Sequence, residues 1–200
     1  MNSEIVSVFI KLFFLLTPFF VLSMFLAVTR EMPPANCRIA ACRTTIAILI
    51  LSIVIYFGGN WAFMTIGITI DAFRVGTGII LMISAIELVL GKGKDGERPS
   101  KQDGAFEVVP LAIPYTLGPG TIGALLVMGG EKSDFKGKLI HLGGITAAIL
   151  VVGLLLFIGG NIEKVIGKRG IAILSKITGL VLAAIAAQVI LTGIKNFFAQ

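Results

Sequence analysis

The sequence predicts an all-α membrane protein of six transmembrane helices, arranged as two inverted three-helix repeats with broken first and fourth helices. Three observations predict it. Of the 200 residues, 56% are hydrophobic and only 14% charged, with a mean hydropathy of +0.98, whereas an ordinary soluble domain is charged at about a quarter of its positions. Six apolar stretches each approach the roughly 20 residues needed to cross about 30 Å of hydrocarbon. The chain also matches itself at one constant shift. A disordered chain is excluded, because so apolar a sequence with a net charge of +6 collapses or enters lipid.

The six expected spans are residues 5–28, 39–57, 72–90, 106–128, 139–158 and 171–194. The first is expected to be retained rather than cleaved: Met1-Asn2-Ser3-Glu4 carries no positive leader, and no Ala-x-Ala site follows a short apolar core. Six spans place Lys11, Arg74, Lys132, Lys136, Lys138 and Lys195 on one side, together with both termini. The opposite side carries more cations: Arg30, Arg38, Arg43, Lys92, Lys94, Arg98, Lys101, Lys164, Lys168, Arg169 and Lys176. The positive-inside rule puts that richer side in the cytoplasm and both termini outside it. Residues 91–104, GKGKDGERPSKQDG, are polar, rich in glycine and charge, and read as a cytoplasmic linker. The expected units are 1–90, the linker 91–104, and 105–200.

Sliding the chain by 101 residues puts Pro18 on Pro119, Gly58-Gly59-Asn60 on Gly159-Gly160-Asn161, and Thr77-Gly78 on Thr178-Gly179, all without a gap. Aliphatic matches alone would follow from composition. Matched prolines and a matched Gly-Gly-Asn in one register point instead to a duplication. Each unit holds three spans, an odd number, so the second enters the membrane from the opposite side. Inverted repeats of this kind build many secondary transporters, although a fold never fixes a function.

The site is read from the two broken spans. Thr17-Pro18 lies at the middle of the first, and Gly118-Pro119-Gly120 at the middle of the fourth, after Pro110 and Pro114. Proline removes a backbone donor and clashes with the carbonyl four residues back, and glycine lowers helix propensity further. Backbone groups freed in hydrocarbon are tolerated only when buried in protein or facing a wet cavity. The expected second half of span four offers the amides of Gly120, Thr121 and Ile122 as a positive helix end for a carboxylate. Carbonyls around Tyr115 to Leu117 suit an ammonium group or a cation, and the hydroxyls of Tyr115, Thr116 and Thr121 suit orientation. Thr17 and Pro18 supply the opposite wall. The competing reading is a kinked helix whose glycines serve close packing.

Ionisable groups within membrane spans are functional candidates, weighed by depth. Arg43, Lys176 and Glu87 lie near span ends, where long side chains snorkel. Glu87 is the one candidate for proton coupling, since a partly desolvated carboxyl holds its proton more tightly; its mate in the repeat, Gln188, cannot titrate. Asp71 and Arg74, three apart, pair on one helix face, with anchoring the simpler role. The central polar groups are neutral, which favours a compact zwitterion over a free ion. Cys37 and Cys42 are expected to be reduced thiols. One histidine and two cysteines are a poor metal inventory, and no cofactor is implied. Scattered cations without a basic face argue against nucleic acid. With no nucleotide-binding loop and no catalytic constellation, the chain is read as not an enzyme.

Val109-Pro110-Leu111-Ala112-Ile113-Pro114, followed by Gly118-Pro119-Gly120-Thr121-Ile122, resembles the "PLAIP...GPG.I" signature of the MarC family of bacterial and archaeal inner-membrane proteins. Asp71-Ala72-Phe73-Arg74-Val75 with Gly78-Ile79 resembles it as well, and so does the stretch from Ile177-Thr178-Gly179 through Gln188 to Thr192-Gly193-Ile194. The resemblance runs over nearly the whole chain. It implies a six-span protein related to the LysE exporter superfamily, some of whose members are described as small neutral amino acid transporters. One stretch departs from the pattern. Where the family usually has Asn-Pro or Asp-Pro, then a glycine and a second proline, this chain has Thr17, Phe20 and Ser23. Phe20 is expected to narrow the cavity toward glycine- or alanine-sized solutes.

The expectation is therefore an inner-membrane secondary transporter, exporting or exchanging small neutral amino acids such as glycine, alanine or serine with proton or sodium coupling. Its expected substrate contacts are Thr17, Pro18, Phe20, Tyr115, Thr116, Gly118, Pro119, Gly120 and Thr121, with Glu87 for coupling. Its partners are the solute, the ion and the lipid bilayer, and a homo-oligomer is compatible with the sequence. The alternatives are a passive channel for small solutes and a non-transporting membrane interaction protein.

Overall fold

The computed structural model describes residues 2–91, 117–131 and 135–199, and every regular element among them is helical. Proline sets the first break. Helix α1 (Asn2–Leu15) stops, Thr17 takes a left-handed conformation (φ 45°, ψ 59°), and α2 (Pro18–Val28) begins on proline, bent 44° from α1. Left-handed backbone costs about 1–2 kcal/mol for a residue with a Cβ. The Thr17 amide turns back onto the Phe14 carbonyl (3.0 Å), while its own carbonyl accepts the Val21 amide (3.0 Å). Thr17 thus ends one helix and starts the next.

A 3₁₀ turn (Thr29–Glu31) and the Pro33-Pro34 pair lead into α3 (Pro34–Ile66), which ends on left-handed Gly67. The Thr69 hydroxyl accepts the Ala72 amide at 3.2 Å and so caps α4 (Ile70–Leu90), which ends on left-handed Gly91. Helix α5 (Pro119–Glu131) again begins on proline, the favoured first residue because its missing N–H is not needed there. Helices α6 (Phe135–Phe157) and α7 (Gly159–Phe198) follow, α7 being interrupted at Gly167 (φ 70°, ψ 167°), a conformation essentially reserved for glycine.

Helices α3, α4, α6 and α7 are each long and apolar enough to cross a membrane, and α1 with α2, bent by 44°, counts as a fifth where the pair is taken as one broken span. The described residues therefore contain four to five of the six expected spans. At 13 residues, α5 rises only about 20 Å, short of the hydrocarbon thickness; the stretch before it, through Thr116, lies outside the described residues. So do residues 92–104 of the expected linker.

The interior holds two apolar clusters, a larger one drawn from α1 (Leu12, Leu16), α4 (Leu81, Ala85), α5 (Leu125), α6 (Ile145, Ile149) and α7 (Leu182, Ala186), and a smaller one of Val21, Leu22, Ala41, Leu156 and Ile171. The outside is apolar too. Ile46, Ile50, Val54 and Phe57 stand exposed along one face of α3, and Ile79, Ile83, Ile86 and Leu90 along one face of α4. A helix apolar on every face sits in a protein core or in lipid, and these faces meet no protein.

Helices α4 and α7 form the largest interface and run antiparallel: Gly193 lies against Asp71 and Val75, Gly78 against Ala186 and Ile190, and Gly179 against Ala85 and Val89. The contacts are reciprocal. A methyl group on Gly78 would lie 3.1 Å from the Ala186 carbonyl, and one on Gly179 would lie 3.1 Å from the Ala85 carbonyl. Gly179 follows Gly78, and Ala186 follows Ala85, by the same 101 residues that separate Pro18 from Pro119. Not every matched pair shares its local structure: Gly58 lies inside continuous α3, whereas Gly159 opens α7 after the turn at Ile158.

Candidate functional site

The two breaks meet. Because the chain turns at Thr17, the Leu15 carbonyl ends α1 without the next turn of helix, and the buried Thr121 hydroxyl on the first turn of α5 donates to it at 3.1 Å. An unpaired carbonyl in hydrocarbon would cost several kcal/mol, so this bond makes the first break tolerable. Gly120 permits the approach of α5 to α4, since a Cβ there would lie 2.6 Å from Leu81 Cδ2. The Ile122 amide donates to the Gly118 carbonyl at 3.0 Å. It is therefore occupied within the helix, and the Ile122 amide drops out of the set expected from sequence to face a carboxylate.

A cavity of about 450 Å³ opens beside this junction, lined by Leu15 at the end of α1, Leu81 opposite Gly120, Ala124 and Val127 of α5, and residues of α6 and α7. Its polar lining comprises Lys11, Arg74, Glu131, His141, Gln188 and Thr192. Arg74 is held at its wall by both arms of its guanidinium: Nη1 pairs with Asp71, on its own helix, and Nη2 with Glu131, at the end of α5. The Asn196 amide donates to Asp71 at 3.3 Å, tying α7 into the same network. The side chains of Arg74 and Asp71 are only 12% and 11% exposed, so the network is shielded, and a lysine could not reproduce the planar fork that bridges two carboxylates. A cavity with a cation at Lys11 and a carboxylate at Glu131 offers complementary charge to both ends of a zwitterion.

Thr121 and Gly120 are at the junction, and Pro18 is buried there as the first residue of α2. Thr17 is half-buried in the break itself. Gly118 has open space where a side chain would be, and Pro119 is exposed. Phe20 packs partly buried against the apolar core, and none of Thr17, Pro18, Phe20, Gly118, Pro119, Gly120 and Thr121 is in the lining of this cavity. Glu87 is exposed, one turn before the end of α4, and does not line it either. Tyr115 and Thr116 lie outside the described residues. Sequence reasoning missed Lys11, Glu131 and His141 and read Arg74 only as half of a local pair.

A second cavity, of about 530 Å³, lies at the other end of the first span, around Arg30, Arg38, Glu163, Lys164 and Lys168. The two share positions matched by the 101-residue shift. Ser23, Leu26, Ala27 and Arg30 line the second, and the residues 101 positions later, Ala124, Val127, Met128 and Glu131, line the first.

The family model described as "MarC family integral membrane protein" matches residues 2–198. A "UPF0056 membrane protein" of Methanocaldococcus jannaschii is 31% identical over 193 residues, covering 94% of each chain. Another from that organism is 36% identical over 146 residues, covering 70% of this chain and 64% of its own. The "UPF0056 membrane protein YhcE" of Escherichia coli is 30% identical over 200 residues, covering 95% of this chain and 91% of its own. No solved structure matches the chain.

Proposed function

This chain belongs to the MarC family of integral membrane proteins, and from that premise we propose that it is a secondary transporter of small neutral amino acids such as glycine, alanine or serine. In this reading it exports or exchanges its solute by alternating access between two inverted three-helix repeats, with proton or sodium coupling, in an inner membrane with both termini outside the cytoplasm. The observation that carries the reading is the cavity beside the Leu15–Thr121 junction, whose lining includes Leu15 and side chains of both signs, Lys11, Arg74 and Glu131.

A small neutral amino acid presents a carboxylate and an ammonium group about one residue's length apart. Lys11 suits the carboxylate and Glu131 suits the ammonium. Gln188 and Thr192 offer uncharged partners on α7. The reciprocal Gly78 and Gly179 contacts support the inverted repeat, because they are what a two-fold relation between units 1–90 and 105–200 would produce. Two halves with near-equivalent packing have two near-equivalent ways to sit on each other, and exchanging them opens the site first to one side and then to the other.

The experiment is counterflow of labelled glycine and alanine in liposomes holding the purified chain, with and without an imposed pH or sodium gradient. Saturable exchange that Gly120→Leu abolishes is the expected result. Unsaturable flux with unitary currents would make the protein a passive channel instead. Absence of exchange across small neutral amino acids, from protein that elutes as a folded species, would leave it a non-transporting membrane partner.

A further inference from the structure

The second cavity is chemically unlike the first, although the two share matched lining. Its cations come from three separate elements: Arg30 from the 3₁₀ turn, Arg38 from α3, and Lys164 and Lys168 from the first part of α7. Among the described side chains the one carboxylate in its lining, Glu163, lies 3.9 Å from Lys168. Four cations against one carboxylate leave a formal charge of +3 facing one space of about 530 Å³. Like charges gathered this way repel unless an anion lies between them. The divergence is visible at one matched pair, since Arg30 stands here where the first cavity has Glu131.

We propose that this cavity binds a phosphate-bearing anion, and that in the membrane its source is the headgroup of an anionic phospholipid. Arg38 is held ready for such a group, because its guanidinium carbon sits 5.4 Å from the centre of the Phe157 ring, which fixes the side chain and leaves its N–H groups for phosphate oxygens. Lys164 and Lys168 add point charges from the opposite wall. Beneath the basic rim the walls turn apolar, through Phe25, Leu26, Leu156 and Ile171, which suits the glycerol and upper acyl carbons of a lipid better than a fully hydrated ion. Basic pockets between membrane helices take anionic headgroups on the cytoplasmic side, and the charge bias of the sequence assigns this end to that side. The inference rests on membrane insertion and this cavity's charge, and stands whether or not the protein moves amino acids.

The test uses the full chain purified in a neutral detergent, with bound lipid measured by native mass spectrometry after adding phosphatidylglycerol or phosphatidylcholine of the same acyl chains. Retention of phosphatidylglycerol alone is expected, with a loss of about tenfold or more in the Arg38→Gln/Lys164→Gln double variant. Both residues are exposed, so folding survives, and Lys136→Gln/Lys195→Gln, which removes the same charge elsewhere, should retain the lipid. Inorganic phosphate at millimolar concentration distinguishes the sources. Displacement of the lipid by phosphate would assign the site to the phosphate group itself, and failure to displace would assign it to the whole lipid. Equal retention of both lipids, or full retention of phosphatidylglycerol by the Arg38/Lys164 variant, would overturn the proposal.

Discussion

The Thr121 side chain donates its hydroxyl proton to the Leu15 main-chain carbonyl at 3.1 Å, across 106 residues of sequence. The bond joins the end of α1 to the start of α5, so the second helix break satisfies a carbonyl freed at the first. Thr121→Val keeps the shape but removes the donor, leaving a buried carbonyl unsatisfied at a cost of about 1–3 kcal/mol. Its thermal midpoint in detergent is expected to fall below that of the parent, and Thr121→Ser, which restores a hydroxyl, is expected to recover most of the loss. Equal midpoints for the Val and Ser variants would remove the bond from the account of stability.

Arg74 makes the corresponding tie at the wall of the first cavity. Its two guanidinium nitrogens engage Asp71 and Glu131 separately, so Arg74→Lys keeps the charge but holds one carboxylate at a time. The expected outcome is partial retention of counterflow in Arg74→Lys and near-complete loss in Arg74→Gln, each lost charged bond contributing about 1.5–3 kcal/mol before solvent screening. Initial rates of exchange at saturating and limiting glycine separate the two variants. Identical behaviour of the Lys and Gln variants would show that only the charge, and not the fork, is used.

The matched glycines of α4 and α7 allow the repeat to be tested by stability. Gly78→Ala places a methyl 2.5 Å from Ile190 Cγ1, and Gly179→Ala places one 2.9 Å from Leu88 Cβ, each also facing a carbonyl at 3.1 Å. Both are expected to destabilise the bundle by about 1–3 kcal/mol, the usual cost of overpacking. Gly76→Ala, on the same helix as Gly78 but with nothing within 4 Å, is expected to be neutral or slightly stabilising. A large loss in only one of the matched pair, measured by thermal aggregation in detergent, would break the equivalence of the two halves.

The long helices are legible in the sequence because apolar length and proline chemistry are local properties. Pro18 and Pro119 each begin a helix, as an unneeded N–H and a fixed φ require. Thr121 stands out in the sequence as a site residue, yet its partner is a main-chain carbonyl, and no side-chain pattern records where a distant carbonyl will point. Asp71 and Arg74 are legible as a pair because three residues on a helix are neighbours. Glu131 joins them across 57 residues, a distance at which helix periodicity carries no signal, and it sits at the last turn of α5 where the sequence suggests only a loop. Lys11 reads as a topology signal, although it also lines the cavity. The break at Gly167 is lost among 24 glycines, because nothing local distinguishes it from the glycines that stay helical.

Coupling is where sequence and geometry pull apart. Glu87 is the sequence's candidate for carrying a proton, but it is exposed near the end of α4 and lines neither cavity. Its matched residue Gln188 does line the first cavity and donates its side-chain amide to Thr192 Oγ1 at 3.3 Å. A coupling group has to respond to the solute's presence, and Glu87 lies away from the lining of the cavity proposed to hold it. Glu87→Gln is therefore expected to leave both exchange and its response to a pH gradient unchanged, while Gln188→Ala weakens saturable binding and raises the half-saturating solute concentration. Counterflow with and without a pH gradient reads both variants. Retained exchange that no longer responds to the gradient in Glu87→Gln would return proton coupling to Glu87, whereas an unchanged response directs the search to His141 and Glu131, the titratable groups that share the cavity with Lys11.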